Sequence, residues 1–145
     1  MKKVILMLCI IFITGVNAKS QSASNVHFEV GLQYFTNYDF DLNKPTGIAI
    51  RDNGYFKVDI GENGRGKFYY LSSNADGGMG QKIIYTITNA EYKTYIDGSK
   101  FLKINSYWED GSEITIMVNY KISKNKNVIS SIAMIGINNE GTLHY

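Results

Sequence analysis

Glu113-Ile114-Thr115-Ile116-Met117-Val118-Asn119-Tyr120-Lys121-Ile122-Ser123 decides the fold of this chain. Ile114, Ile116, Val118, Tyr120 and Ile122 fall on one side of an extended backbone, and Thr115, Asn119 and Lys121 on the other. A repeat of two marks a half-buried strand, whereas a helix would return the same residues every three or four positions. The β-branched and aromatic side chains strengthen that preference.

The same alternation recurs on either side. Upstream, Phe28, Val30, Leu32 and Tyr34 alternate with Glu29, Gly31 and Gln33, and Ile83, Tyr85 and Ile87 share one face of 82–88. Residues 92–96 meet 100–108 across Asp97-Gly98, a dipeptide that favours the positive backbone angles of a tight hairpin. Asp52-Asn53-Gly54 reads as a turn between 48–51 and 55–60, and the glycine-rich stretch 61–66 leads into 67–73. Asn89-Ala90-Glu91, Glu109-Asp110-Gly111, 124–127 and Asn139-Glu140-Gly141 read as further turns, the last of them into a short strand, 142–145. The polar connection 36–47 holds the only proline, Pro45, and is the one place left for a helix.

Residues 128–138 differ from the rest. Ile129, Ala133, Ile135 and Ile137 oppose Val128, Ile132 and Met134, so both faces should be covered or one should line an apolar cavity. About nine or ten strands on short turns predict an all-β fold: a single antiparallel meander closed as a barrel or folded as a sandwich, which removes its edges. The size and strand count resemble those of a small calycin-like barrel, a likeness of fold that implies no function.

Residues 1–18 read as a cleaved signal peptide. Lys2 and Lys3 precede the apolar run 4–13, and Val16-Asn17-Ala18 offers a small-residue exit. The run is shorter than the roughly 20 residues a membrane-spanning helix needs. Residues 19–25 are small and polar and read as a flexible leader, and 26–145 as a single β-domain. The expected compartment is a bacterial periplasm or the medium.

Two of the 15 basic residues are Lys2 and Lys3, which leaves 13 against 13 acidic residues in the processed chain. A neutral chain without blocks of like charge is a poor ligand for nucleic acid or an anionic membrane surface, and no stable membrane insertion is expected after cleavage. The only cysteine, Cys9, lies inside the apolar run, flanked by Leu8 and Ile10 rather than placed as a lipid-acceptor residue. The processed chain therefore has no thiol for a disulfide, a nucleophile or a metal.

The remaining chemistry is sparse. His27 and His144 stand near the two ends of the domain, where neighbouring strands could bring them together, but neither has a carboxylate at metal-binding spacing. Asp39-Phe40-Asp41-Leu42-Asn43 imitates a calcium loop until Lys44 and Ile50 take the places of the required glycine and glutamate. The glycine-rich loops 61–66 and 74–80 precede no helix and carry no phosphate-binding signature, although the second is long enough for a rim or lid. No serine sits in a nucleophile elbow. No cofactor is implied.

Tyrosine is the outlying feature. All 11 tyrosines lie after residue 18, with the only tryptophan, Trp108. Tyr70 shares a parity with Phe68, while Tyr69 goes with Leu71; Tyr95 opposes Tyr92, and Tyr107 opposes Trp108. One ring of each pair must leave the main core, and Tyr70, Tyr95, Tyr107 and Trp108 are the candidate ligand-binding residues. The leading reading is an exported, non-enzymatic β-domain for a small apolar or aromatic-stacking ligand. A protein–protein module of inhibitor, immunity or surface-assembly type, using an exposed edge strand such as 142–145 or an aromatic patch, is the alternative. A small carboxylate-dependent hydrolase is the third.

Overall fold

A computed structural model of the chain describes residues 19–72, 80–94 and 99–145. These form ten strands and no helix: β1 Lys19–Ser22, β2 Val26–Asp39, β3 Lys44–Pro45, β4 Ile50–Ile60, β5 Gly66–Leu71, β6 Lys82–Thr94, β7 Lys100–Tyr107, β8 Glu113–Ser123, β9 Lys126–Ile135 and β10 Glu140–His144. Eight of them close an up-and-down barrel in the order β2-β4-β5-β6-β7-β8-β9-β10 and back to β2. Every pairing is antiparallel. The seam between β10 and β2 matches Thr142 with Asn37 and His144 with Phe35. Closure, rather than a sandwich, is how this meander removes its edges.

The alternation that predicted the strands also fills the barrel. Phe56, Val58 and Ile60 of β4, Phe68 of β5, Ile87 of β6, Ile104 of β7, Ile116 of β8 and Ile132 of β9 point inward and are buried almost completely. Each contributes about 1.5–3 kcal/mol by leaving water. Phe56 and Phe68 meet in a tilted pair, 5.9 Å between centroids. This layer closes the waist of the barrel.

Both faces of β9 are covered over 131–135, whereas Val128 before and Ile137 after stay exposed, against the expectation for the whole run. Ile132 and Met134 enter the barrel, while Ala133 and Ile135 join an outer-wall cluster with Tyr38, Phe40, Phe101, Met117 and Leu143. The outer face between β2 and β4 carries charge, beside exposed apolar residues such as Tyr55, Leu71 and Ile84. Lys57 lies 3.3 Å from Asp59 and 3.7 Å from Glu29.

Several local expectations give way to the sheet. Asp52-Asn53-Gly54 is not a turn: β4 runs straight through it, with a bulge where Leu32 pairs Gly54 and Tyr34 pairs Arg51. Asn89-Ala90-Glu91 likewise stays within β6, where a register shift after Ile87 absorbs the irregularity and Ala90 is buried against the core. The first residues of 36–47 belong to β2 rather than to a connection. The strand at 142–145 is no open edge, because β10 pairs with β2 on one side and β9 on the other. Lys19–Ser22, expected as leader, pairs with β6, and Ala23 after it is buried. The signal segment 1–18, the Asp97-Gly98 turn and most of the glycine-rich loop 74–80 lie outside the described residues.

Candidate functional site

The filled waist leaves a mouth at each end. The upper mouth opens where β2 ends and β6 begins, and the lower one where β2 begins and β6 ends. The upper mouth is a cavity of about 320 Å³ whose wall includes Phe35, Tyr70, Ile83, Tyr85, Met134 and His144. Inward parity brings these rings together: Tyr70 follows Phe68 on β5, Tyr85 precedes Ile87 on β6, and His144 pairs across the seam with Phe35.

The rings form a connected cluster. Tyr70 stacks on Phe56 with centroids 4.7 Å apart and planes 5° apart. His144 stacks on Phe35 at 5.6 Å and turns its edge to both Phe56, at 5.0 Å, and Tyr70, at 5.1 Å. Its Nε2 lies 2.9 Å from the Thr142 hydroxyl oxygen.

Beside this cluster, near the upper end of β4, lies a buried carboxylate. The Tyr70 hydroxyl donates to Asp52 Oδ2 at 2.5 Å, and Asp52 is 5% exposed. The β4 bulge supplies the reach, since it keeps Asp52 on the inward parity at the top of the strand. Gly54 leaves the necessary room: a Cβ there would sit 3.2 Å from both Asp52 Oδ2 and the Tyr70 ring. Burial, followed by the bond to Asp52, raises the Tyr70 phenol pKa well above its ordinary value. Burial lowers the His144 pKa to about 4, partly offset by the nearby Asp52 charge, so the ring is neutral at pH 7. Burial is also the main cause of the raised Tyr85 pKa.

Of the expected site residues, Tyr70 lies on the upper mouth. Tyr107 points outward and lines an adjoining groove of about 500 Å³ with Thr88, Asn105, Glu113, Thr115 and Asn139, which shares Ile114 and Gly136 with the upper mouth. Trp108 follows β7 in the turn to β8, where its amide donates to the Ser112 carbonyl. Tyr95 lies outside the described residues. Tyr70 and Tyr107 therefore line two adjoining cavities.

Asp52, Tyr85, Thr142 and His144 complete the site without having been expected there. The clue available for His144 was its parity with Thr142, but that meant turning two polar residues inward and Leu143 outward, against the usual preference. His27 is at the opposite end, exposed and 3.2 Å from Asp59, so the two histidines do not meet. Among the described residues no group of three or more His, Cys, Asp or Glu is placed to hold a metal.

The fold and the cavity define a small eight-stranded up-and-down barrel with an aromatic mouth. No protein-family model, curated protein or solved structure matches the chain.

Proposed function

We propose that this is an exported, non-enzymatic barrel that binds a small apolar or aromatic ligand in its upper mouth. One observation carries the reading: a cavity of about 320 Å³ walled by the rings of Phe35, Tyr70, Tyr85 and His144 over a solid floor. That combination of apolar wall and few placed polar groups is the usual build of a small-molecule site. The neutral His144 and the Tyr85 hydroxyl supply orientation, and stacking supplies affinity.

A hydrolase finds less support. Asp52 is not on the wall of the upper mouth, and neither mouth nor the outer groove brings two carboxylates onto one wall. The protein-interaction reading keeps one supporting feature, the outer groove with Tyr107 and the 81% exposed Ile137 on its wall. Its edge-strand form loses support because β10 is paired on both sides. The charges on the outer wall at Glu29, Lys57 and Asp59 support a barrel that stands in water rather than in lipid.

Native mass spectrometry on protein recovered from the periplasm or medium of its own host tests the reading. A bound small molecule should be present in the unaltered protein and absent after Ile83→Trp, which fills the upper mouth. A clean ligand-free mass for the unaltered protein would overturn it. Export itself is tested by N-terminal sequencing of the same material, which should begin at Lys19 and not at Met1.

A further inference from the structure

The lower mouth is built from different residues and asks for a different ligand. It is a cavity of about 310 Å³ with Val26 and Phe28 of β2, Leu102 of β7, Val118 of β8 and Ile129 of β9 on its wall. Tyr92 of β6 and Tyr120 of β8 complete it. The fully buried layer of Phe56, Phe68, Ile87, Ile104, Ile116 and Ile132 lies between the two mouths. A molecule in one mouth cannot touch the other.

Three features of this cavity restrict what it can hold. The first is the extent of its apolar wall. Val118 and Leu102 form its buried end, while Val26, Phe28 and Ile129 are only partly buried and keep apolar surface open to the cavity.

The second is its pair of phenols. Both backbones pair in the sheet, while neither the Tyr92 nor the Tyr120 hydroxyl has a hydrogen-bond partner among the described residues. Burial raises the pKa of both phenols, and for Tyr120 the nearness of Tyr92 adds to the effect. Two neutral hydroxyl groups, each able to donate and accept, therefore face one small space.

The third is the lack of charge. The described wall carries no lysine, arginine, aspartate or glutamate, and its one histidine, His27, is engaged with Asp59 at 3.2 Å at the rim. Asp59 is held in turn by Lys57. An ionised ligand group would lose its hydration here without gaining a counter-charge.

We infer that the lower mouth is a second, independent binding site for a small uncharged amphipathic molecule: an apolar body held by Val26, Phe28, Val118 and Ile129, with one hydroxyl or amide bonded by Tyr92 and Tyr120. The site needs nothing from the upper mouth and stands whether or not that mouth is occupied.

Methyl-resolved NMR titration of the protein as exported by its host provides the test, with 4-ethylphenol as the probe and 4-ethylbenzoate as its charged counterpart. The methyl signals of Val26, Val118 and Ile129 should shift along one saturating curve with 4-ethylphenol. Those of Ile83 and Met134 report on the upper mouth and should follow a separate curve or none. Replacing both phenols (Tyr92→Phe with Tyr120→Phe) removes the hydroxyls and keeps the rings; it should raise the dissociation constant at the lower mouth about five- to tenfold, the worth of about one net hydrogen bond. The benzoate should bind there at least about tenfold more weakly than the phenol, as an unpaired desolvated charge demands. The inference is overturned if the lower-mouth methyls do not shift at the solubility limit of the phenol. It is also overturned if benzoate binds equally well, or if the double variant binds as tightly as the unaltered protein. Failure at the upper mouth would appear in Ile83 and Met134 alone and would leave these outcomes readable.

Discussion

The hydroxyl of Tyr70 and the carboxylate of Asp52 meet at 2.5 Å behind the wall of the upper mouth, joining β5 to the bulge of β4. The bond orients an aromatic wall residue by way of a group outside the cavity wall. It also places a donor on a carboxylate that is almost entirely out of water.

Tyr70→Phe removes that donor and keeps the ring stacked on Phe56. The expected cost is about 1.5–3 kcal/mol, the range for a hydrogen bond to a charged acceptor, read from urea denaturation midpoints at pH 7. Asp52→Asn combined with Tyr70→Phe should cost less than the sum of the two single changes. Additive effects would show that the two groups act separately.

Acid should weaken this barrel through His144. The pKa of His144 falls from 6.5 in the unfolded chain to about 4 in the fold, so the unfolded state binds more protons between those values. Stability is then fully present above about pH 6.5 and is lost as pH falls towards 4, by about 3 kcal/mol in all. His144→Phe should flatten that part of the profile. The Asp59, Glu91 and Asp110 carboxyls have lowered pKa values, so their contribution is lost at lower pH than the ordinary carboxylate range. Thermal melts at half-unit steps from pH 4 to 7.5 check the sign; a variant and parent with parallel profiles would refute it.

Gly141→Ala should be among the most damaging single substitutions at the seam. A Cβ at this position would stand 1.8 Å from the Met134 carbonyl oxygen on β9, so the backbone itself must move. A loss of about 2–4 kcal/mol is expected, with the β9–β10 amides losing hydrogen-exchange protection first.

Phe68→Ala tests the waist. Phe68 is fully buried and touches Phe56 on one side and Tyr85 on the other. Its removal should cost about 3–5 kcal/mol in chemical denaturation. A cost under about 1 kcal/mol would mean that the two mouths are joined by a collapsible layer.

The architecture was largely legible because alternation is a strong local signal. Ile114, Ile116 and Val118 on β8, and Phe28, Val30 and Leu32 on β2, enter the barrel as their parity predicts. Turn chemistry misled where pairing overrode it. Asp52-Asn53-Gly54 has the composition of a turn, yet β2 holds it extended, and Asp52 gains the Tyr70 hydroxyl that a turn would not supply. Asn89-Ala90-Glu91 is held the same way by Asn105 and Ile104 of β7. Tyr70 was readable from its parity with Phe68. Asp52 and His144 were not, because polar groups turned into a lumen contradict the rule that reads strands. The register across the seam, which pairs residues about a hundred positions apart, lies beyond any local window.

That seam fixes an order of events in time. Residues 140–144 must reach residues 35–39 before the wall is continuous, so β2 and β10 each keep an unsatisfied row of amides and carbonyls until the seam closes. Folding dominated by such distant partners is slow, and an open β2 is a template for the wrong neighbour. The exposure lasts until Leu143 and His144 arrive.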